Sequence, residues 1–501
     1  FSDNIIFTYN DYSEKRGSSS NDFLYGTPNN DWLLGDNGFM DRFNDGYDYL
    51  FSGDGNDILE GGENNSSTGG PSVPNNYFIN GSGLKTIIGF SSTTHTDFNP
   101  YTKQSIDRIF IPINTSINNA SDLKYTINDD GFINLEIDGD TSVLLHGIKS
   151  EEVILENFIV HHPIDKFIIG TEYDDTLNGT SGNDLIDGYM QKIIAGCVGY
   201  GSGHDVINGG SGNDLLIGGP SEHFCGGFNI DTFVFFDNSG VDQVLDFTAE
   251  WELPGYVDSG KHRDILQIEK NINGISFDTG TEIISRSSEN SDGFAEIDLG
   301  AGNKITLIGK KLENITPFHI RVTPKFDNII TGLSGDENDI LIGTEENDYI
   351  KGSPYPNRRF EDGFDILDGG SGDDALDGGV YDSPYGGTII DMYRFDRNYD
   401  NDIIFGFYAA DIVNEGIQDS PGTRSDKIEI PIDVALSASN LIDNSSNNKD
   451  NFAVLSFEGT TVTIHGIRKE ELKNDYFFIV PRPTNTINGT DDHDLLIGTE
   501  G

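Results

Sequence analysis

Gly209-Gly210-Ser211-Gly212-Asn213-Asp214-Leu215-Leu216-Ile217 is the stretch whose reading decides the fold. Its grammar is glycine at positions one, two and four, aspartate at six and a large apolar residue at eight. A second full copy runs from Gly369 to Asp377 (GGSGDDALD). Relaxed copies fall into step around these two. In the first block they start at Gly17 (GSSSNDFLY), Gly26 (GTPNNDWLL), Phe43 (FNDGYDYLF) and Ser52 (SGDGNDILE). The second block has Gly170 (GTEYDDTLN), Gly179 (GTSGNDLID), Tyr200 (YGSGHDVIN) and Gly209. The third has Ser334 (SGDENDILI), Gly343 (GTEENDYIK), Phe360 (FEDGFDILD) and Gly369, and Gly489 (GTDDHDLLI) opens a fourth. All thirteen rows carry Asp at position six and Leu or Ile at position eight. Repetition in step at that length is a repeat architecture, in which each row is one strand and one turn.

The blocks share a further rule: two contiguous rows, an insertion, then two more rows. The insertion spans 35–42, 188–199 and 352–359. Between blocks, aromatic-rich strands recur at Asn76–Ile79, Asp231–Phe235 and Asp391–Phe395. Apolar runs follow that end in Gly89-Phe90, Asp246-Phe247 and Gly406-Phe407. Later come DRIFI, DILQI and DKIEI from Asp107, Asp264 and Asp426, then hairpins holding His146 and His465. Short alternating runs bounded by Gly, Asn and Asp predict strands. The expected units are 17–169 (roll 17–62, β segment 75–160), 170–333 (roll 170–219, β segment 229–322) and 334–488 (roll 334–379, β segment 389–480). Residues 1–16 read as the tail of a preceding unit and 489–501 as the start of a fourth roll. The chain begins Phe1-Ser2-Asp3 with no initiator Met, and reads as processed or as a segment of something longer.

Glycines at positions two and four permit positive φ, which a tight carbonyl-exposing turn requires. The Asp at six adds a hard anionic oxygen, which suits Ca²⁺. These rows resemble the RTX (hemolysin-type) family, which includes the C-terminal domains of serralysin-like proteases and the R-modules of alginate epimerases. The resemblance implies an all-β chain of three tandem units, each a short right-handed parallel β-roll followed by a β-sandwich-like antiparallel segment. It also implies several Ca²⁺ ions per unit, held between successive coils. Carried over, the ligands are Asp22, Asp31, Asp48 and Asp57; Asp175, Asp184, Asp205 and Asp214; and Asp339, Asp348, Asp365 and Asp374. Asp494 starts the next roll, and Asp246 with Asp264 is expected to cap the last site.

Energetics point the same way. One dependable core side chain per row falls short of offsetting the ordering of nine backbone residues. At about 2 mM calcium, a site with a dissociation constant of roughly 10⁻⁴ M stabilises the fold by roughly 1.8 kcal/mol.

The chain carries 84 Asp plus Glu against 31 Lys plus Arg, a formal charge of −53. Such a field excludes nucleic acid and anionic membrane as natural partners. There is no apolar run long enough to span a bilayer. Cys197 and Cys225 leave pairing open. No H-E-x-x-H, G-x-S-x-G or phosphate-binding glycine loop occurs, so no enzymatic role is expected. The leading expectation is a secreted, calcium-assembled structural protein of an extracellular surface layer, sheath or filament at the cell surface, associating with itself into a polymer or lattice. The alternatives are a polysaccharide-binding module array, for which Tyr355, Tyr381 and Tyr385 are candidate sugar platforms, and an adhesin stalk or the export tail of a larger enzyme.

Overall fold

The computed structural model describes residues 12–18, 21–35, 47–61, 75–90, 107–171, 173–188, 203–219, 230–249, 263–333, 338–352, 364–378, 390–407, 409 and 425–481, plus the backbone of 193–194 and 197–198. The ordered elements are almost all strands, with two seven-residue helices, Gly280–Arg286 and Ala438–Asn444, among the described residues.

The first roll shows how a nine-residue row becomes structure. Its strands are β1 (Ser13–Arg16), β2 (Phe23–Tyr25), β3 (Asp31–Leu34), β4 (Tyr49–Phe51), β5 (Asp57–Glu60), β6 (Asn76–Phe78), β7 (Gly83–Ile88), β8 (Arg108–Pro112), β9 (Lys124–Ile127), β10 (Ile133–Glu136), β11 (Thr141–Leu145) and β12 (Phe158–His161). Successive strands alternate between two sheets, in the order β1-β3-β5-β7-β11-β10-β9 and β12-β8-β6-β4-β2. Two rows therefore complete one coil, and strands two rows apart pair in parallel. Phe23 faces Tyr49, and Trp32 faces Ile58. Rows one and three stack despite the insertion between them, as do rows two and four. The eighth-position residues Leu33, Leu50 and Leu59 are buried between the sheets with Tyr77, Ile87 and Ile109. The same seven-plus-five sheet arrangement recurs from Lys166–Ile169 to Ile320–Thr323 and from Asn328–Thr331 to Phe477–Val480.

The antiparallel segment after each roll is built onto the roll's own sheets. Strand β7 continues the ladder of β5, and β8 that of β6, before β9–β11 add an antiparallel edge. The coil's open end is an unpaired parallel edge, and extending it buries more apolar surface than starting a new sheet. Ser13–Arg16 pairs with β3, Lys166–Ile169 with Asp184–Asp187, and Asn328–Thr331 with Asp348–Lys351. A strand that joins the seven-stranded sheet thus lies just ahead of the first row of each roll.

The chain forms two compact units, Phe1–Val322 and Thr323–Gly501. Within the first, two rolls share an apolar seam. Outward-facing rings of the five-stranded sheet stack in a ladder: Tyr25 on Phe51 at 4.5 Å, Phe51 on Phe78 at 4.5 Å, and Phe78 on Phe110 at 4.3 Å. Phe167, from the first strand of the second roll, meets Phe51 edge-on at 5.3 Å. Leu185, Leu215, Ile217 and Leu245 complete the cluster. Tyr49 donates to Asp187, and Gln243 Nε2 donates to Val160 O at 2.7 Å.

Candidate metal sites in the stacked turns

Position six ends each turn and starts a strand, so the Asp side chain lies at the junction of coil and coil. Its backbone N–H donates to the carboxylate of the Asp two rows on. In the second roll this links Asp175 to Asp205 (2.8 Å), Asp205 to Asp231 (2.9 Å) and Asp231 to Asp264 (3.0 Å) along one side. Along the other it links Asp184 to Asp214 (2.7 Å) and Asp214 to Asp242 (2.9 Å). The third roll repeats both columns: Asp339, Asp365, Asp391 and Asp426, then Asp348, Asp374 and Asp402. The first roll has Asp22, Asp48, Asn75 and Asp107 on one side and Asp31 with Asp57 on the other.

The turns nest closely. Gly240 has φ +101, and a Cβ built there would lie 1.5 Å from the Gly212 carbonyl oxygen. Only glycine fits that approach.

The columns are rich in uncompensated charge. Asp184 Oδ1, Asp205 Oδ2, Asp214 Oδ2, Asp231 Oδ2, Asp374 Oδ2 and Asp402 Oδ2 are buried and accept no hydrogen bond. Burial pushes the Asp214 and Asp374 carboxyls up to about 7, and neighbouring carboxylates add to the effect. Burial likewise raises Asp264 to about 8, Asp205 and Asp402 to about 9, and Asp231 and Asp242 well above the usual carboxylate range. An orphaned buried carboxylate is costly unless a cation or proton meets it. Among the described residues no three His, Cys, Asp or Glu side chains converge as a conventional metal cluster. A hard cation here would draw on carboxylates of stacked rows together with turn carbonyls, an all-oxygen donor set that fits Ca²⁺.

Of the residues picked out by sequence, the row aspartates and Asp264 stand in the columns. Asp246 does not. It accepts the Gly218 and Gly219 N–H groups at 3.1 and 2.7 Å, and Arg108 opposes the effect of its burial. Its counterparts in the other units are Gly89 and Gly406, so a role common to the three units cannot rest on it. The residue that closes the column is Asp242, four positions earlier. Asp494, Tyr355, Tyr381, Tyr385 and Cys225 lie outside the described residues, as does the side chain of Cys197. The hairpin histidines pack against rings, His146 on Phe132 at 4.9 Å and His465 on Phe452 at 4.6 Å.

Sequence reasoning missed three further rows: 80–88 (NGSGLKTII), 237–245 (DNSGVDQVL) and 397–405 (RNYDNDIIF). The pattern was obscured because Asn238 and Asn398 at position two and Asp400 at position four take the positive φ elsewhere given to glycine, and because Lys85 stands at position six of the first of these rows. The surviving signals were Gly81, Gly83 and Gly240, Asp242 and Asp402 at position six, and an apolar eighth residue, Ile87, Val244 or Ile404.

A family model for the RTX calcium-binding nonapeptide repeat (4 copies) matches residues 16–39, 44–67, 167–190, 201–221, 333–354 and 361–380. No curated protein matches the chain. Among solved structures, the extracellular lipase LipA from Serratia marcescens is 16% identical with a TM-score of 0.16; the match covers 62% of this chain and 40% of that one.

Proposed function

We propose that this chain, which carries RTX calcium-binding nonapeptide repeats, is a secreted structural protein that folds and assembles with calcium as part of an extracellular layer, sheath or filament. The carrying observation is the stack of buried, orphaned carboxylate oxygens, which ties folding to a divalent cation. Outside a cell, where calcium is millimolar, each occupied site adds to stability by mass action. Inside, the same carboxylates repel one another. The reading assigns the chain no catalytic role.

Self-association is supported by a face that the repeat leaves uncovered. In the first roll the outer face of the five-stranded sheet is an aromatic seam buried against the following roll. In the third roll the corresponding face presents Ile340 (65% exposed) and Ile342 (62%), where the first roll has the exposed Phe23 and Tyr25, and Phe478 (44%), where the first roll has the buried Ile159. A seven-stranded face from another roll, in a following unit or a second copy, is the occupant that the seam in the first unit specifies. Circular dichroism and light scattering, recorded together during calcium titration of chelator-stripped protein, test both steps. β signal should rise first and scattering by ordered polymers should follow. An Ile340→Lys, Ile342→Lys double variant should keep the first response and lose the second. A β signal that does not depend on calcium refutes the reading.

A further inference from the structure

Lys85 occupies the sixth position of the row 80–88, where the second and third rolls have Asp242 and Asp402. Strand register makes the match: Asp57 faces Lys85, as Leu215 faces Gln243 and Ala375 faces Ile403. The Lys85 side chain is fully buried, and so is its ion-pair partner Asp57. Its Nζ lies 2.6 Å from Gly53 O, 2.7 Å from Gly55 O, 2.7 Å from Asp57 Oδ2 and 2.8 Å from Ser82 O. These are the second- and fourth-position carbonyls and the sixth-position carboxylate of one turn, with a third-position carbonyl from the turn stacked on it.

The charge count fits the exchange. The matched site of the second roll has two carboxylates, Asp214 and Asp242, and that of the third has Asp374 and Asp402. Two negative charges balance one divalent ion. In the first roll Asp57 stands alone beside an ammonium group, and one balances one. The oxygens report the same difference. Asp214 Oδ2 and Asp374 Oδ2 are orphaned, whereas Asp57 Oδ2 is taken by Lys85. Buried ions persist only when charge and hydrogen bonds are both answered, and here a side chain answers both.

We infer that Lys85 is a tethered cation that replaces one calcium ion, so that the last coil junction on this side of the first roll closes without metal. The inference rests on the calcium reading above and adds that this junction is independent of calcium. Its consequence is a chain that binds one ion fewer than its repeat pattern implies, with one junction that stays closed when calcium is withdrawn.

Native mass spectrometry of the full chain at saturating calcium counts the ions directly. K85D restores the two-carboxylate site and should bind one calcium more than the wild type, and its urea midpoint should become more dependent on calcium. D242K moves the lysine into the second roll and should bind one calcium fewer. An unchanged count in K85D that folds, or in D242K, overturns the inference. If K85D does not fold, the D242K count decides alone. A wild-type chain that binds no calcium overturns the calcium reading itself, and the replacement falls with it.

Discussion

Asp214 shows how a single side chain ties this fold to metal. Its Oδ1 accepts the Asp184 N–H, while its Oδ2 is buried with no partner. D214N keeps the shape and the amide bond and removes the charge. At millimolar calcium the variant should lose about 2 kcal/mol of stability and bind fewer ions. In chelator it should match or exceed the wild type, because an uncharged amide avoids the desolvation penalty. Urea denaturation in both media checks the crossover. Asn75 already makes this exchange in the first roll, taking the place that Asp231 and Asp391 hold elsewhere. The position-six aspartates were legible in the sequence because Asp recurs there in all thirteen of the rows that the motif picks out. Lys85 was not: its charge is opposite to the aspartate expected there, although Gly81, Gly83 and Ile87 hold the second, fourth and eighth positions of its row.

At the scale of the element, a row is a turn that must fit against the turn before it. Gly240→Ala sets a Cβ on the Gly212 carbonyl at a φ of +101. The backbone conformation alone costs about 1–3 kcal/mol, and the overlap adds to it. A lowered thermal midpoint, with and without calcium, is the expected result. The aromatic seam belongs to this scale as well. Phe51 stacks with Tyr25 and Phe78 and meets Phe167 edge-on. Phe51→Ala should therefore destabilise the first unit by about 3–5 kcal/mol, the range for emptying a buried ring site. Chemical denaturation would show it as a lower midpoint, with calcium binding retained under native conditions. The aromatic-rich strands were visible in sequence; what their rings pack against was not, since Phe51 and Phe78 are answered by Phe167 of the following roll.

For the whole molecule the governing quantity is charge, −53 over the chain. The sign of its pH dependence follows from the columns. Burial raises Asp214 and Asp374 to about 7, Asp264 to about 8, and Asp205 and Asp402 to about 9. A carboxyl whose pKa is higher in the fold than in the unfolded chain stabilises the fold when protonated. That contribution is complete below about pH 4 and is lost as pH rises through about 7 to 9. Metal-free protein should therefore lose β signal between pH 5 and pH 9, whereas calcium-loaded protein should hold it through neutrality, because the ion replaces the proton. Circular dichroism against pH, in chelator and in calcium, separates the two.

The repeat, its nine-residue period, the strand-and-turn character of each row and the demand for a hard cation were all fixed by local sequence, because φ at a glycine and the side of a strand are local properties. Tertiary structure alone decided which rows stack, how far the coil runs and where a carboxylate is left without a partner. Stacking joins residues that are 26 to 35 positions apart in the columns, and insertions of differing length break any fixed spacing. It also decided that Asp242, not Asp246, meets Asp214, and that one column of the first roll ends on an ammonium group. Those outcomes depend on which oxygens the folded turns bring within about 3 Å of one another, a distance the chain acquires only when its coils close.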